Sequence, residues 1–275
     1  MKAADQGTRQ LMKRWLGRWA RKTAELMGYQ LSRPEPTLPV DFDEGAASMI
    51  AKVNPYTITS PERIYALREA VRYVERAAIP GAIVECGVWS GGSMLAVVLT
   101  LQELGSTSRE LYLYDTFEGM SPPGPLDIDF EGEAAEKTFG AGAPGASEIL
   151  PPAPLPQVRA LLESTGYPAE HLHFVKGDVA ETIPGDAPAE IALLRLDTDW
   201  YESTQHELRH LFPLIPDGGI LMIDDYGHWQ GARRAVDEYF DSQGLNLMLN
   251  RIDYTGRLAV VRRSEPRAAK ESAAR

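Results

Sequence analysis

A single cysteine, Cys86, is all the thiol the chain contains. An internal disulfide is therefore excluded, and so is a Cys/His cluster with zinc-site spacing. A chain without disulfides suits a reducing compartment, and a cytoplasmic location is expected. A run of about 18 apolar residues, the length a membrane helix needs, is absent. The N-terminus has basic residues with no continuous apolar run behind them, so no secretory signal is expected. Basic residues are in deficit: 28 Lys and Arg stand against 39 Asp and Glu, a formal net charge of −11. A nucleic-acid binder needs a basic footprint, and this chain is not expected to be one. Internal repeats are missing as well. What is present, 275 residues of which 44% are hydrophobic, suffices for one large α/β domain with a full core.

Residues 1–35 read as a basic arm. From Arg9 to Leu31 the pattern is helical and amphipathic: Leu11, Trp15 and Trp19 share a stripe, Met12 and Leu16 flank it, and Lys13, Arg14, Arg18, Arg21 and Lys22 fill much of the rest. Such a stripe packs on its own domain or on a second subunit, so a homodimer or higher homo-oligomer is expected. Contact with an anionic membrane surface is the alternative. Pro34, Pro36 and Pro39 break the pattern and open a main domain over 36–263. The polar, Ala-rich tail 264–275 is expected to be disordered.

Within the main domain Ser60 and Pro61 start a helix that runs to Ala78, with Ile64, Leu67, Val71 and Val74 on its apolar face. Strands and helices then alternate. Ala82–Cys86, Leu111–Asp115, Leu172–Lys176, Ile191–Asp197 and Gly219–Asp224 are short apolar runs. Helical patterns lie between them at Ser93–Leu104, Pro156–Thr165 and Ser203–Leu214. This alternation predicts a mostly parallel, doubly wound α/β sheet with helices on both faces. A helix over Ala232–Phe240 and two strands, near Leu245–Arg251 and Leu258–Arg262, follow. The strands meet at Tyr254-Thr255-Gly256 as an antiparallel hairpin, which makes the sheet mixed. One segment, 118–154, fits no element. It is rich in Gly, Pro and acidic residues and follows the second strand, which predicts a lid on the ligand side.

Three constellations carry chemistry. The first is Val84-Glu85-Cys86-Gly87-Val88-Trp89-Ser90-Gly91-Gly92-Ser93, a strand, a glycine turn and a helix start. Glycines admit a ligand close to the backbone, and the helix start offers free N–H groups. A dinucleotide site would want Gly where Trp89 stands, so the turn suits a ligand held by its amino-acid end and ribose. The second is Asp115, which ends the second strand as an acceptor for ribose hydroxyls, with Asp178 beside it near the adenine or as a solvated turn residue. The third is Leu196-Asp197-Thr198-Asp199 with Ile223-Asp224-Asp225, at the ends of two strands. Residues two apart in an extended segment face the same way, and neighbouring strands are about 4.8 Å apart. Four carboxylates therefore gather, and a hard divalent cation such as Mg²⁺ would relieve their repulsion. His228 stands nearby as a candidate for proton transfer or substrate contact, with a plain surface histidine as the alternative. Trp200 and Tyr201 are candidate walls of an acceptor pocket, or core.

Together with Thr59-Ser60-Pro61-Glu62-Arg63, Tyr114-Asp115-Thr116-Phe117-Glu118-Gly119-Met120, Leu196-Asp197-Thr198-Asp199-Trp200-Tyr201-Glu202-Ser203-Thr204 and Asp224-Asp225-Tyr226-Gly227-His228-Trp229, these segments resemble the macrocin O-methyltransferase (TylF/MycF) family of class I S-adenosylmethionine-dependent methyltransferases. The resemblance runs from about Tyr56 to Val261. It implies a seven-stranded Rossmann-like fold, S-adenosylmethionine and Mg²⁺ as cofactors, and methylation of a hydroxyl on a sugar or glycosylated natural product. It implies metal ligation by Asp197, Asp224 and Asp225, and a catalytic base at Asp199 or Asp197, with His228 competing. The expected cofactor contacts are Thr59, Ser60, Glu85, Gly87, Ser90, Ser93, Asp115 and Asp178. A catechol-type methyltransferase is the nearest alternative. An NAD-dependent sugar-modifying enzyme fits less well, since Trp89 sits in the glycine turn and no Tyr-x-x-x-Lys pair is evident. A non-catalytic binding protein would leave the acidic cluster unused and costly.

Overall fold

The computed structural model describes residues 38–140 and 151–263. The basic arm, the centre of the expected lid (141–150) and the C-terminal tail lie outside the described residues. The chain divides into two units, Met1–Asp41 and Phe42–Arg275.

Seven strands form one sheet: β1 (Ala82–Cys86), β2 (Leu111–Asp115), β3 (Leu172–Lys176), β4 (Ile191–Leu196), β5 (Ile220–Ile223), β6 (Asn250–Arg251) and β7 (Arg257–Val260), in the order β3-β2-β1-β4-β5-β7-β6. The first five pair in parallel. The pairs β5–β7 and β6–β7 are antiparallel, as the hairpin pattern predicts. Every residue of β1, β4 and β5 is buried, which is why these strands read as continuous apolar runs and not as alternations. From β1 the chain steps outward to β2 and β3, then returns past β1 to β4. That reversal opens a crevice at the C-terminal ends of β1 and β4.

The helices are α1 (Glu44–Val53), α2 (Pro61–Arg76), α3 (Gly92–Glu103), α4 (Glu136–Phe139), α5 (Leu155–Glu163), α6 (Val179–Thr182), α7 (Tyr201–Leu211) and α8 (Gln230–Gln243). Ser60 caps α2 as expected, its Oγ accepting from Arg63 N at 3.2 Å. The α1 helix escaped the sequence reading. Asp43 caps it at Ala46 N, 2.6 Å, and Ala46, Met49, Ile50 and Val53 form its buried face. One strand expectation needs correction. Residues 245–249 are not strand: Leu245, Leu247 and Leu249 pack their side chains against the core beside Phe240, so β6 is only Asn250–Arg251. The expected hairpin turn is led by an aspartate: Asp253 Oδ1 accepts from Thr255 N at 2.9 Å and Gly256 N at 2.7 Å.

Nor is the described part of 118–154 without structure. It holds α4, a bridge between Ile128 and Ala134, and a bridge from Asp129 to Trp229. Asp127, fully buried, accepts from Tyr201 N at 2.8 Å and from Gly124 N at 2.7 Å. Its carboxylate thus docks the segment on the N-terminus of α7, where negative charge is favoured. Among the described residues no helix is long and apolar enough to cross a membrane.

Candidate active site

The crevice at the β1–β4 reversal is a cleft of about 1040 Å³, room enough for two ligands side by side. Its floor begins at Gly87. That residue has φ +84°, and a Cβ there would come within 2.0 Å of the Asp197 carbonyl oxygen. Only glycine lets the first turn lie against the acidic segment after β4. Asp115 holds the turn from the other side: its Oδ2 accepts from Val88 N at 2.7 Å and Trp89 N at 2.8 Å, and its Oδ1 accepts from Phe117 N at 2.6 Å. The expected ribose acceptor therefore also builds the turn that would receive the cofactor.

Thr59, Gly87, Ser93, Asp115, Asp178, Asp197, Asp199, Asp224, Asp225 and His228 all line this cleft. Three expected cofactor residues, Ser60, Glu85 and Ser90, are not among its lining. The Ser60 hydroxyl is engaged in the α2 cap and donates to Asp253 Oδ2 at 2.8 Å. Glu85 lies beneath the floor, 1% exposed, and its Oε1 accepts from Arg195 Nη1 at 2.6 Å. Asp178 caps α6 through Ala180 N at 2.9 Å and accepts from Ser121 Oγ at 2.7 Å, so it serves as a turn residue while facing the cleft.

At the acidic end, Asp197, Asp224 and Asp225 each offer a carboxylate oxygen within 4.8 Å of the others. Three oxygen donors so placed suit a hard divalent ion, and the residues fit Mg²⁺. Asp199 is not part of this trio. β4 ends at Leu196 and Asp199 turns into the left-handed region, φ +66°, so strand periodicity does not set its direction. Its N–H donates to Asp225 Oδ2 at 3.2 Å and its Oδ1 accepts from Trp229 Nε1 at 2.7 Å. Burial pushes the Asp199 carboxyl up to about 6, against the lowering effect of the Trp229 bond. Burial, then the mutual repulsion of the carboxylates, also raises Asp197 and Asp225 well above the usual range. His228 sits at the mouth, its Nδ1 3.2 Å from Tyr254 Oη. Burial lowers its pKa, which favours the neutral ring.

Two arginines that the charge argument from sequence left out lie inside this cluster. Arg195, 2% exposed, reaches Asp197 Oδ2 at 2.7 Å and Asp224 Oδ1 at 2.6 Å as well as Glu85. Arg63 Nη1 pairs with Asp224 Oδ2, and its Nε with Asp253 Oδ2 at 2.9 Å. The carboxylates are thus partly neutralised by the protein itself. Five acids (Glu85, Asp197, Asp199, Asp224 and Asp225) still face two guanidiniums. The sequence signal for Arg195 was a charge inside the apolar run Ile191–Leu196, matched by Glu85 inside Ala82–Cys86. A third overlooked residue is Glu207 on α7, wholly buried, which accepts from Thr198 Oγ1 at 2.9 and 3.1 Å and is pushed up to about 8 by burial.

Trp200 and Trp229 meet edge to face at 5.0 Å, with Phe139 and Met120 packed on them, and Trp200 Nε1 donates to Ser121 O at 2.8 Å. They line the cleft and are at the same time buried core, so Trp200 meets both of its expected descriptions.

Residues 37–260 match the model of the macrocin O-methyltransferase (TylF) family. A Streptomyces olivaceus protein, 8-demethyl-8-(2,3-dimethoxy-alpha-L-rhamnosyl)-tetracenomycin-C 4'-O-methyltransferase, is 33% identical over 73% of this chain and 74% of its own length. Mycinamicin III 3''-O-methyltransferase of Micromonospora griseorubida is 27% identical over 73% of this chain and 76% of its own. Among solved structures, the O-methyltransferase NovP superposes with a TM-score of 0.66 at 27% identity, over 76% of this chain and 83% of that one. The chain belongs to the macrocin O-methyltransferase family and is an S-adenosylmethionine-dependent O-methyltransferase.

Proposed function

We propose that the enzyme methylates a hydroxyl of a sugar, free or carried on a natural product, with Mg²⁺ held by Asp197, Asp224 and Asp225. The observation that carries the reading is the join between two sites in one cleft: the glycine turn braced by Asp115, and the carboxylate trio beside Asp199. Two relatives bear names that place the methyl group on a sugar-bearing natural product, which supports the sugar as acceptor.

In this reading Asp115 accepts from the ribose hydroxyls, Ser93 and the glycine turn hold the amino-acid end, and Asp178 lies toward the adenine. Bound Mg²⁺ would supply a Lewis acid that makes an acceptor hydroxyl more acidic and fixes its position. Asp199 takes the proton from that hydroxyl as its oxygen forms the bond to the methyl carbon, and the methyl–sulfur bond breaks. Trp229 holds the Asp199 carboxylate in place for this. Its φ of +66° is tolerable for aspartate and costly for most side chains. The segment from Met120 to Phe139, docked on α7 and α8, excludes water from the acceptor end.

The test is Asp199→Asn. It should retain S-adenosylmethionine and metal affinity and lose turnover on a sugar diol. Turnover near the wild-type rate would move the base elsewhere. A catechol assayed in parallel as a better acceptor than any sugar would favour the catechol-type reading.

A further inference from the structure

Asp224 is engaged on both oxygens. Its Oδ1 accepts from Arg195 Nη2 at 2.6 Å and its Oδ2 from Arg63 Nη1. A divalent ion bound by Asp197, Asp224 and Asp225 would share this carboxylate with two guanidiniums, and a cation beside a cation is repelled. We infer that Arg63 is a built-in competitor for the divalent ion: it holds Asp224 when the ion is absent and must release its Nη1 contact for the ion to bind. This rests on the reading of the trio as the ion's ligands.

The two arginines are not equivalent. Arg195 rises from within β4 and is buried among Glu85, Asp197 and Asp224. Removing it from that position would strand three carboxylates, so it stays. Arg63 sits in the first turn of α2, its side chain 13% exposed, on the wall of the cleft. It also has a second anchor. Its Nε pairs with Asp253 Oδ2 at 2.9 Å, and the Asp253 carboxylate is itself fixed by Ser60 Oγ, Thr255 N and Gly256 N. Nη1 can therefore leave Asp224 while Nε stays on Asp253. An arginine guanidinium is not deprotonated in proteins, so Arg63 is cationic in either position.

The experiment is calorimetric titration of the full chain with Mn²⁺ and Mg²⁺ alone, for the wild type, Arg63→Gln and Arg257→Gln. Arg257 is the charge control: it lies on β7, its guanidinium donates to the Thr255 and Gly256 carbonyls and lies over the Tyr226 ring, and among the described residues no bond joins it to the carboxylate trio. Arg63→Gln should bind the ion at least about tenfold more tightly, the scale of one hydrogen bond to a charged group. Arg257→Gln should change affinity by less than about twofold, since its guanidinium touches none of the three carboxylates and a charge at that remove is screened. Millimolar guanidinium ion should weaken Mn²⁺ binding to Arg63→Gln and leave the wild type unaffected. Arg63→Met, which keeps much of the volume and removes the charge, covers the case in which the glutamine variant fails to fold, and should show a gain of the same sign. Binding in the wild type with no gain in either Arg63 variant overturns the competitor alone, as does an equal gain in Arg257→Gln. No binding in any variant overturns the metal reading and this inference with it.

Discussion

Glu85 and Arg195 stand directly opposite each other on the adjacent parallel strands β1 and β4, joined at 2.6 Å in a layer where each is nearly inaccessible to solvent. The pair sits below the cleft floor and transmits its charge to the acidic site, because the same guanidinium continues to Asp197 and Asp224. Burial pushes the Glu85 carboxyl up to about 7, even though Arg195 pulls it down.

Removal of Arg195 should therefore be severe. Arg195→Met keeps much of the volume and leaves Glu85, Asp197 and Asp224 without their counter-charge. Breaking a buried ion pair from one side costs about 3–5 kcal/mol. Urea denaturation should show a loss of that order, and Glu85→Gln on the same background should recover part of it. Unchanged stability in Arg195→Met would mean that the carboxylates are neutral without it.

In the proposed mechanism Trp229 holds the base. Its indole N–H bonds Asp199 Oδ1 at 2.7 Å and lowers a carboxyl that burial has raised to about 6. Trp229→Phe keeps the ring and removes the donor. The charged form of Asp199 then loses a stabilising bond, so its pKa rises further. The acidic limb of the pH profile of kcat should move to higher pH in Trp229→Phe, with activity recovered under alkaline conditions. An unmoved limb would remove Asp199 from the titrating step.

The sheet was legible in the sequence because its inner strands are uninterrupted apolar runs bounded by glycine and charge. Asp115 and the candidate metal ligands Asp197, Asp224 and Asp225 were legible for the opposite reason: acids at the ends of apolar runs stand out against them. What stayed hidden was long-range. Nothing local to Arg63 says that α2 brings it to Asp224, 161 residues away. Asp199 was placed with Asp197 by strand periodicity, and that periodicity stops at Leu196. Asp127 gave no signal, because its partner, the Tyr201 N–H, is a backbone group on another element.

Glu207 predicts how stability varies with pH. Its carboxyl is raised from an ordinary 4.5 to about 8 in the folded protein, so the folded state binds the proton more tightly than the unfolded chain. Its contribution is fully present below about 4.5 and is lost as pH rises toward about 8, at no more than about 1.4 kcal/mol per pH unit. Glu207→Gln lacks this dependence. Its melting temperature relative to the wild type should rise between pH 5 and pH 8. A constant difference over that range would show that Glu207 is ionised throughout.

The central claim is that a divalent ion on Asp197, Asp224 and Asp225 is needed for methyl transfer to a sugar hydroxyl. The most direct measurement is the initial rate with a sugar diol acceptor and S-adenosylmethionine in EDTA, then after Mg²⁺ is restored in excess, for the wild type and Asp224→Asn. The rate should vanish in EDTA and return with Mg²⁺ in the wild type, and stay absent in Asp224→Asn under both conditions. Full wild-type turnover in EDTA would contradict the account.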